Sequence, residues 1–151
     1  MTRIAHCSCG SLRAEATGEP AVLAVCHCTQ CQRRTGSAFG VGAYFAKEQV
    51  RVEGPSKGYV YVGDSGRKVE RHFCPDCGST VLWYAETAPD LIGIAMGAFA
   101  DPLMPWPLVS AWETTRHPWV TFGHELLHFE LQPQRPAVAE GLGELLAKGG
   151  R

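Results

Sequence analysis

A chain of 151 residues and 16.4 kDa is long enough to bury a core of its own and fits one domain. Fourteen Lys and Arg against fifteen Asp and Glu give a formal net charge of −1. No cationic excess is present to neutralise a phosphate backbone or an anionic lipid surface, which argues against nucleic-acid and membrane partners.

The start, Met1-Thr2-Arg3-Ile4-Ala5-His6-Cys7, lacks the apolar run of a secretory signal. Residues 91–100 form the longest weakly polar stretch, but Gly93 and Gly97 interrupt it and it is too short to span a bilayer. The expectation is a cytoplasmic protein, in which clustered cysteines serve as metal ligands or catalytic groups more often than as disulfides. Seventeen Gly and ten Pro favour many short strands. In chain order, strand-type periodicity and turn punctuation predict strands at 11–17, 21–26, 42–45, 49–53, 58–62, 68–73, 80–85 and 91–99. Gly63-Asp64-Ser65-Gly66 reads as a hairpin turn between two of them. A short helix is expected from Thr29 as cap to Gly36 as stop. A second is expected at 137–148, after a Gln132-Pro133-Gln134-Arg135-Pro136 linker, and Gly141 and Gly143 weaken it. The whole reads as a mainly β domain over residues 1–132, followed by a linker and short helix over 133–151.

Seven cysteines are too few for a small disulfide scaffold, and the number is odd. They fall into three clusters: Cys7-Ser8-Cys9, Cys26-His27-Cys28-Thr29-Gln30-Cys31 and Cys74-Pro75-Asp76-Cys77. Two thiolates two or three positions apart can face one ion from a tight turn, and two such turns complete a tetrahedron with Zn–S bonds of about 2.3 Å. Gly10 follows Cys9 and Gly78 follows Cys77, where positive φ lets the backbone turn back on the sulfurs; the middle cluster has Gln32 instead. Cys7, Cys9, Cys74 and Cys77 therefore pair as a closed structural zinc site. Cys26, Cys28 and Cys31 remain as three ligands with one open position, the arrangement of catalytic zinc. The alternative for this middle cluster is a second structural site closed by a distant residue such as His27 or His72.

Two further features read as bland. His124-Glu125-Leu126-Leu127-His128 matches the HExxH zinc-protease pattern, but it lies between Gly123 and Pro133, too short a span for the helix that the pattern requires. Trp106, Trp112 and Trp119 read as core or rim packing rather than a substrate platform.

At Cys7-Ser8-Cys9-Gly10, at Cys26-His27-Cys28-Thr29-Gln30-Cys31-Gln32-Arg33-Arg34-Thr35-Gly36-Ser37-Ala38-Phe39, and at Phe73-Cys74-Pro75-Asp76-Cys77-Gly78, the chain resembles the glutathione-dependent formaldehyde-activating enzyme family. Centromere protein V belongs to the same superfamily. The resemblance runs from about residue 3 to 132 and includes the His117-Pro118-Trp119-Val120 stretch. It implies a β-tent fold, a structural four-cysteine zinc site and a three-cysteine site that meets glutathione. It also implies a carbon–sulfur lyase of the S-(hydroxymethyl)glutathione synthase kind. Two zinc ions per chain are expected, the second being the labile one. Three thiolates leave that second site anionic, so its zinc is a weak Lewis acid and better suited to keep an incoming thiol deprotonated. Cys31, near the start of the short helix, gains from the local dipole. Arg33 and Arg34 are candidates to meet substrate carboxylates, with a solvated face as the alternative. His27 either shuttles a proton or points outward. The competing function is a non-catalytic zinc module for a protein partner, which predicts two closed metal sites and no affinity for small thiols.

Overall fold

A computed structural model describes residues 1–148. Its strands in chain order are β1 (Thr2–His6), β2 (Arg13–Thr17), β3 (Val22–Cys26), β4 (Gly40–Ala46), β5 (Val50–Glu53), β6 (Lys57–Val62), β7 (Lys68–Phe73), β8 (Thr80–Ala85), β9 (Leu91–Ala95), β10 (Val109–Ala111) and β11 (Leu127–His128). Two α-helices accompany them, α1 (Thr29–Thr35) and α2 (Arg135–Ala147). The protein is mainly β, as its turn-rich composition predicts. It divides into two compact units, one of Met1–Ala21 with Gly42–Met104 and one of Val22–Val41 with Pro105–Arg151.

The first unit holds two antiparallel arrangements. In β1-β2-β5, β2 buries Ala14 and Ala16 and exposes Arg13, Glu15 and Thr17, the two-residue period of a half-buried strand. The run β4-β9-β8-β7-β6 is antiparallel throughout. Val81, Leu82 and Trp83 on β8 are buried on both sides of the strand and pack with Phe45, Ile92 and Ile94 into the core. Trp83 needs the glycines beside it, because a Cβ at Gly93 would clash with its indole. The strand predicted at 91–99 stops at Ala95; Met96–Phe99 is a 3-10 turn closed by Ala100 in the left-handed region at φ 48°. The strand predicted from residue 11 begins only at Arg13, because the Leu12 amide donates to Cys7 Sγ at 3.3 Å and belongs to the cysteine turn.

The second unit has β3, β10 and β11 paired in parallel, in the order β11-β10-β3. With three and two residues, β10 and β11 are too short to leave a periodic signature, and they were not predicted. In α1, Gly36 closes the helix in the left-handed conformation at φ 66°, as expected of a stop. The N-cap is Cys28 rather than Thr29: its sulfur accepts from the Cys31 amide. Helix α2 begins at Arg135, with Pro136 in its first turn. A Cβ at Gly141 would lie 2.8 Å from Leu127 Cδ1, so this helix-weakening residue permits close packing on β11. Residues 149–151 of the tail lie outside the described residues. Among the described residues no helix is long and apolar enough to cross a membrane.

Candidate metal centres and active site

In the first unit, Cys7 and Cys9 follow β1 and Cys74 and Cys77 follow β7, and the four sulfurs lie within 4.8 Å of one another. The two turns share one construction. Gly10 donates to the Cys7 carbonyl at 2.9 Å and Gly78 to the Cys74 carbonyl at 2.9 Å, with φ of 80° and 74°. Cys7 and Cys9 Sγ are 3.5 Å apart, and Cys9 and Cys74 Sγ 3.6 Å. Those spacings are far longer than a disulfide bond and approach the edge of a zinc–thiolate tetrahedron, about 3.8 Å. Burial raises the Cys7 thiol, but the Leu12 amide and the neighbouring sulfurs outweigh it and bring the pKa to about 7. The Ser79 hydroxyl, followed by its amide, holds Cys77 at about 5.

Two serines bind the turns together, and the sequence reading missed them. Ser11 Oγ lies 3.0 Å from Cys9 Sγ, 3.3 Å from Cys74 Sγ and 3.8 Å from Cys7 Sγ. Ser79 Oγ lies 2.8 Å from Ser8 Oγ and 3.4 Å from Cys77 Sγ, so one hydroxyl spans both turns. The available signal was a repeated tripeptide: Cys9-Gly10-Ser11 and Cys77-Gly78-Ser79.

In the second unit, Cys26 at the end of β3, Cys28 at the cap of α1 and Cys31 within α1 also place their sulfurs within 4.8 Å of one another. Among the described residues no fourth His, Cys, Asp or Glu joins them. Hydrogen bonds from Cys26 and Cys28, then the charge and a hydrogen bond from Arg34, hold the Cys31 pKa at about 3. Hydrogen bonds with Cys28 and Cys31, then burial, push the Cys26 thiol far up. The three thiols thus share their protons unequally, with Cys31 the one that ionises first. Three sulfurs so placed suit a thiophilic ion, and both groups can hold a metal.

The arginines differ. Arg34 folds back on the cluster: a Cβ at Gly40 would lie 2.5 Å from its Nη2 and 3.4 Å from Cys31 Cβ. Arg33 is exposed and donates along the helix to Thr29 Oγ1 at 3.4 Å.

His27 is fully buried and does not point outward. Its amide donates to the Ala111 carbonyl at 3.0 Å, and its carbonyl accepts from Gln32 Nε2 at 2.8 Å and Thr115 Oγ1 at 2.9 Å. Its Nε2 meets Ser110 Oγ at 3.2 Å, and Ser110 in turn donates to Glu113 at 2.5 Å. Burial, then the Arg116 charge, lowers its pKa and keeps the ring neutral. The segment between two cysteines is thus fixed on both backbone and ring. His72, the other proposed closing ligand, has its two ring nitrogens at 3.1 Å from Ser56 Oγ and 3.1 Å from Glu70 Oε1.

The remaining motifs fall outside the cysteine groups. His124 sits in a bend with Nε2 2.7 Å from the Pro107 carbonyl, and His128 is on β11 with Nδ1 2.7 Å from Glu113, so the HExxH residues form no helix. Trp106 and Trp119 are exposed rather than core residues, at 60% and 71%. Trp112 is half-buried and takes the left-handed conformation at φ 60°. The core tryptophan is Trp83.

Fold and site together define a mainly β protein with two cysteine groups competent for metal. The profile of the glutathione-dependent formaldehyde-activating enzyme family matches residues 2–120, a span that contains all seven cysteines, and the chain belongs to that family. Among solved structures it is similar to a Rhodobacter sphaeroides protein determined as a structural-genomics target. The two share 21% identity and a TM-score of 0.51, over 66% of this chain and 91% of that one, a likeness of fold. No curated protein matches the chain at a significant level.

Proposed function

We propose that this protein is a cytoplasmic, zinc-dependent carbon–sulfur lyase-type enzyme. Its substrates are glutathione, or a related small thiol, and formaldehyde, which it joins to S-hydroxymethylglutathione and separates in reverse. The observation that carries this reading is the contrast in ligand number: four sulfurs converge in one group and three in the other, with no fourth His, Cys, Asp or Glu among the described residues. Cys7, Cys9, Cys74 and Cys77 are assigned as a structural zinc site, and Cys26, Cys28 and Cys31 as the catalytic one. Zinc at the three-cysteine group supplies a position at which the incoming thiol is kept deprotonated.

The chain's own residues do the rest. Cys28 caps α1 and Cys31 receives Arg34, so the guanidinium offsets the negative charge that accumulates as thiolates gather. Exposed Arg33 is offered to a substrate carboxylate. In the reaction the thiol sulfur bonds to the aldehyde carbon, the carbonyl π bond breaks, and the proton lost by the thiol ends on the hydroxymethyl oxygen.

Cys28→Ser tests the assignment, because serine keeps a capping oxygen for α1 and leaves the helix intact. Zinc content is expected to drop by one ion per chain, with loss of thiol binding and turnover while the fold persists. Unchanged turnover rejects the proposal. Two zinc ions indifferent to glutathione favour the protein-binding module instead.

A further inference from the structure

We propose that two copies of this chain associate through β6, edge to edge and antiparallel, with Val60 on the twofold axis. Among the described residues β7 is the single strand paired with β6. An unpaired edge presents backbone donors and acceptors to any passing strand, and proteins usually blunt it with charge, proline or brevity. Two of the other edges follow that practice. On β5 an Arg51–Glu53 ion pair at 2.7 Å stands in solvent, and β11 has two residues. On β6 the run Gly58-Tyr59-Val60-Tyr61-Val62 carries no charge and no proline. Tyr59, Val60 and Val62 are 56%, 57% and 61% exposed.

The ladder itself fixes the register. The Gly63 amide donates to the Arg67 carbonyl at 2.9 Å across the turn, and the Lys68 carbonyl accepts from the Glu86 amide at 3.0 Å on the far side of β7. In the observed pairing Val62 faces Lys68 and Tyr61 faces Val69. Antiparallel partners alternate between exchanging hydrogen bonds and not. Lys57, Tyr59 and Tyr61 therefore bond to β7, while Gly58, Val60 and Val62 turn their N–H and C=O groups outward.

That outward set is symmetric about Val60. With Val60 facing Val60 of the second copy, Gly58 faces Val62 of the second copy, and each outward N–H finds an outward C=O. Tyr59 faces Tyr61 of the second copy in a pair without hydrogen bonds, where side chains come closest. Tyr59 and Tyr61 already stack at 5.8 Å within one chain, so the pairing extends an existing aromatic row. In the same register Lys57 faces Gly63 and Asp64 faces Ser56 of the second copy, so no like charges are opposed across the seam.

Sedimentation equilibrium of the full-length, zinc-loaded chain is the test. The wild type is expected at twice 16.4 kDa. Val60→Lys sets two like charges face to face on the axis, and Val60→Pro removes an N–H that the single chain leaves unused. Both are expected to halve the mass, with zinc content and circular dichroism unchanged. Should the proline variant fail to fold, Val60→Lys decides. A wild type that stays monomeric at the highest attainable concentration overturns the proposal. So does a dimer that Val60→Lys leaves unchanged.

Discussion

The four-cysteine group joins turns that are distant in sequence, Cys9 meeting Cys74 across 65 positions, whereas the three-cysteine group lies wholly between Cys26 and Cys31. The first is tied by hydroxyls that span both turns, through Ser11 and Ser79. The second has a guanidinium against it and a buried histidine clamped within it. The lesson is that the same side chain serves different ends according to how its neighbours are built. One group is surrounded by short neutral hydroxyls, with Cys9 and Cys77 exposed, while the other has a guanidinium against a less exposed set of sulfurs.

Loss of a ligand from each group breaks the comparison most directly. Cys74→Ala is expected to destabilise the protein by at least about 4 kcal/mol, because the metal's binding energy is part of its folding energy. Chemical denaturation checks this, and a stability close to that of Cys28→Ser would erase the distinction. Glu113→Gln comes next. Burial raises the Glu113 pKa, but Ser110, His128 and Arg116 outweigh it and hold the carboxyl low, so removing the charge is expected to cost about 2 kcal/mol at neutral pH. The sign follows from linkage. A lowered folded pKa gives stability that is complete above the ordinary carboxylate value and lost as pH falls through the folded one. Wild-type and variant stabilities should therefore converge in acid, and a constant offset down to the lowest pH would count against the network.

Arg34→Gln sharpens the contrast by acting on one group alone. A tenfold loss of kcat/KM with glutathione, about 1.4 kcal/mol, is expected with little change in thermal midpoint. A fall in stability without a fall in rate would make Arg34 structural. The smallest effect belongs to Gly78→Ala. Nothing lies within 4 Å of a Cβ there, so the cost is that of positive φ alone, about 1 kcal/mol. A much larger loss would mean that the turn tolerates no adjustment around its sulfurs.

What the sequence revealed and what it concealed have a common physical basis. Gly10, Gly36 and Gly78 announce left-handed backbone locally, and each has positive φ. The β6–β7 hairpin is equally local. Cys28 is an unexpected helix cap because sulfur is a poor acceptor and Thr29 a good one, yet it is the Cys28 sulfur that takes the Cys31 amide. The Ser110–Glu113 support of His27 lies 83 positions away in the chain, and no local pattern foretells such a contact. The close approach of Arg34 to Gly40 depends on tertiary packing in the same way. Strands of two or three residues such as β10 and β11 gain their identity from the ladder they join.

The separation between Cys9 and Cys74 also orders events during biosynthesis. Six consecutive residues can gather three thiols on an ion while the chain is still emerging, since closing so small a loop costs little entropy. The distant turns meet only once the chain has passed Cys77 and β1 and β7 are in place, so that group fills later than the local one. Metal on the local group alone would then mark a chain whose two distant turns have not yet come together.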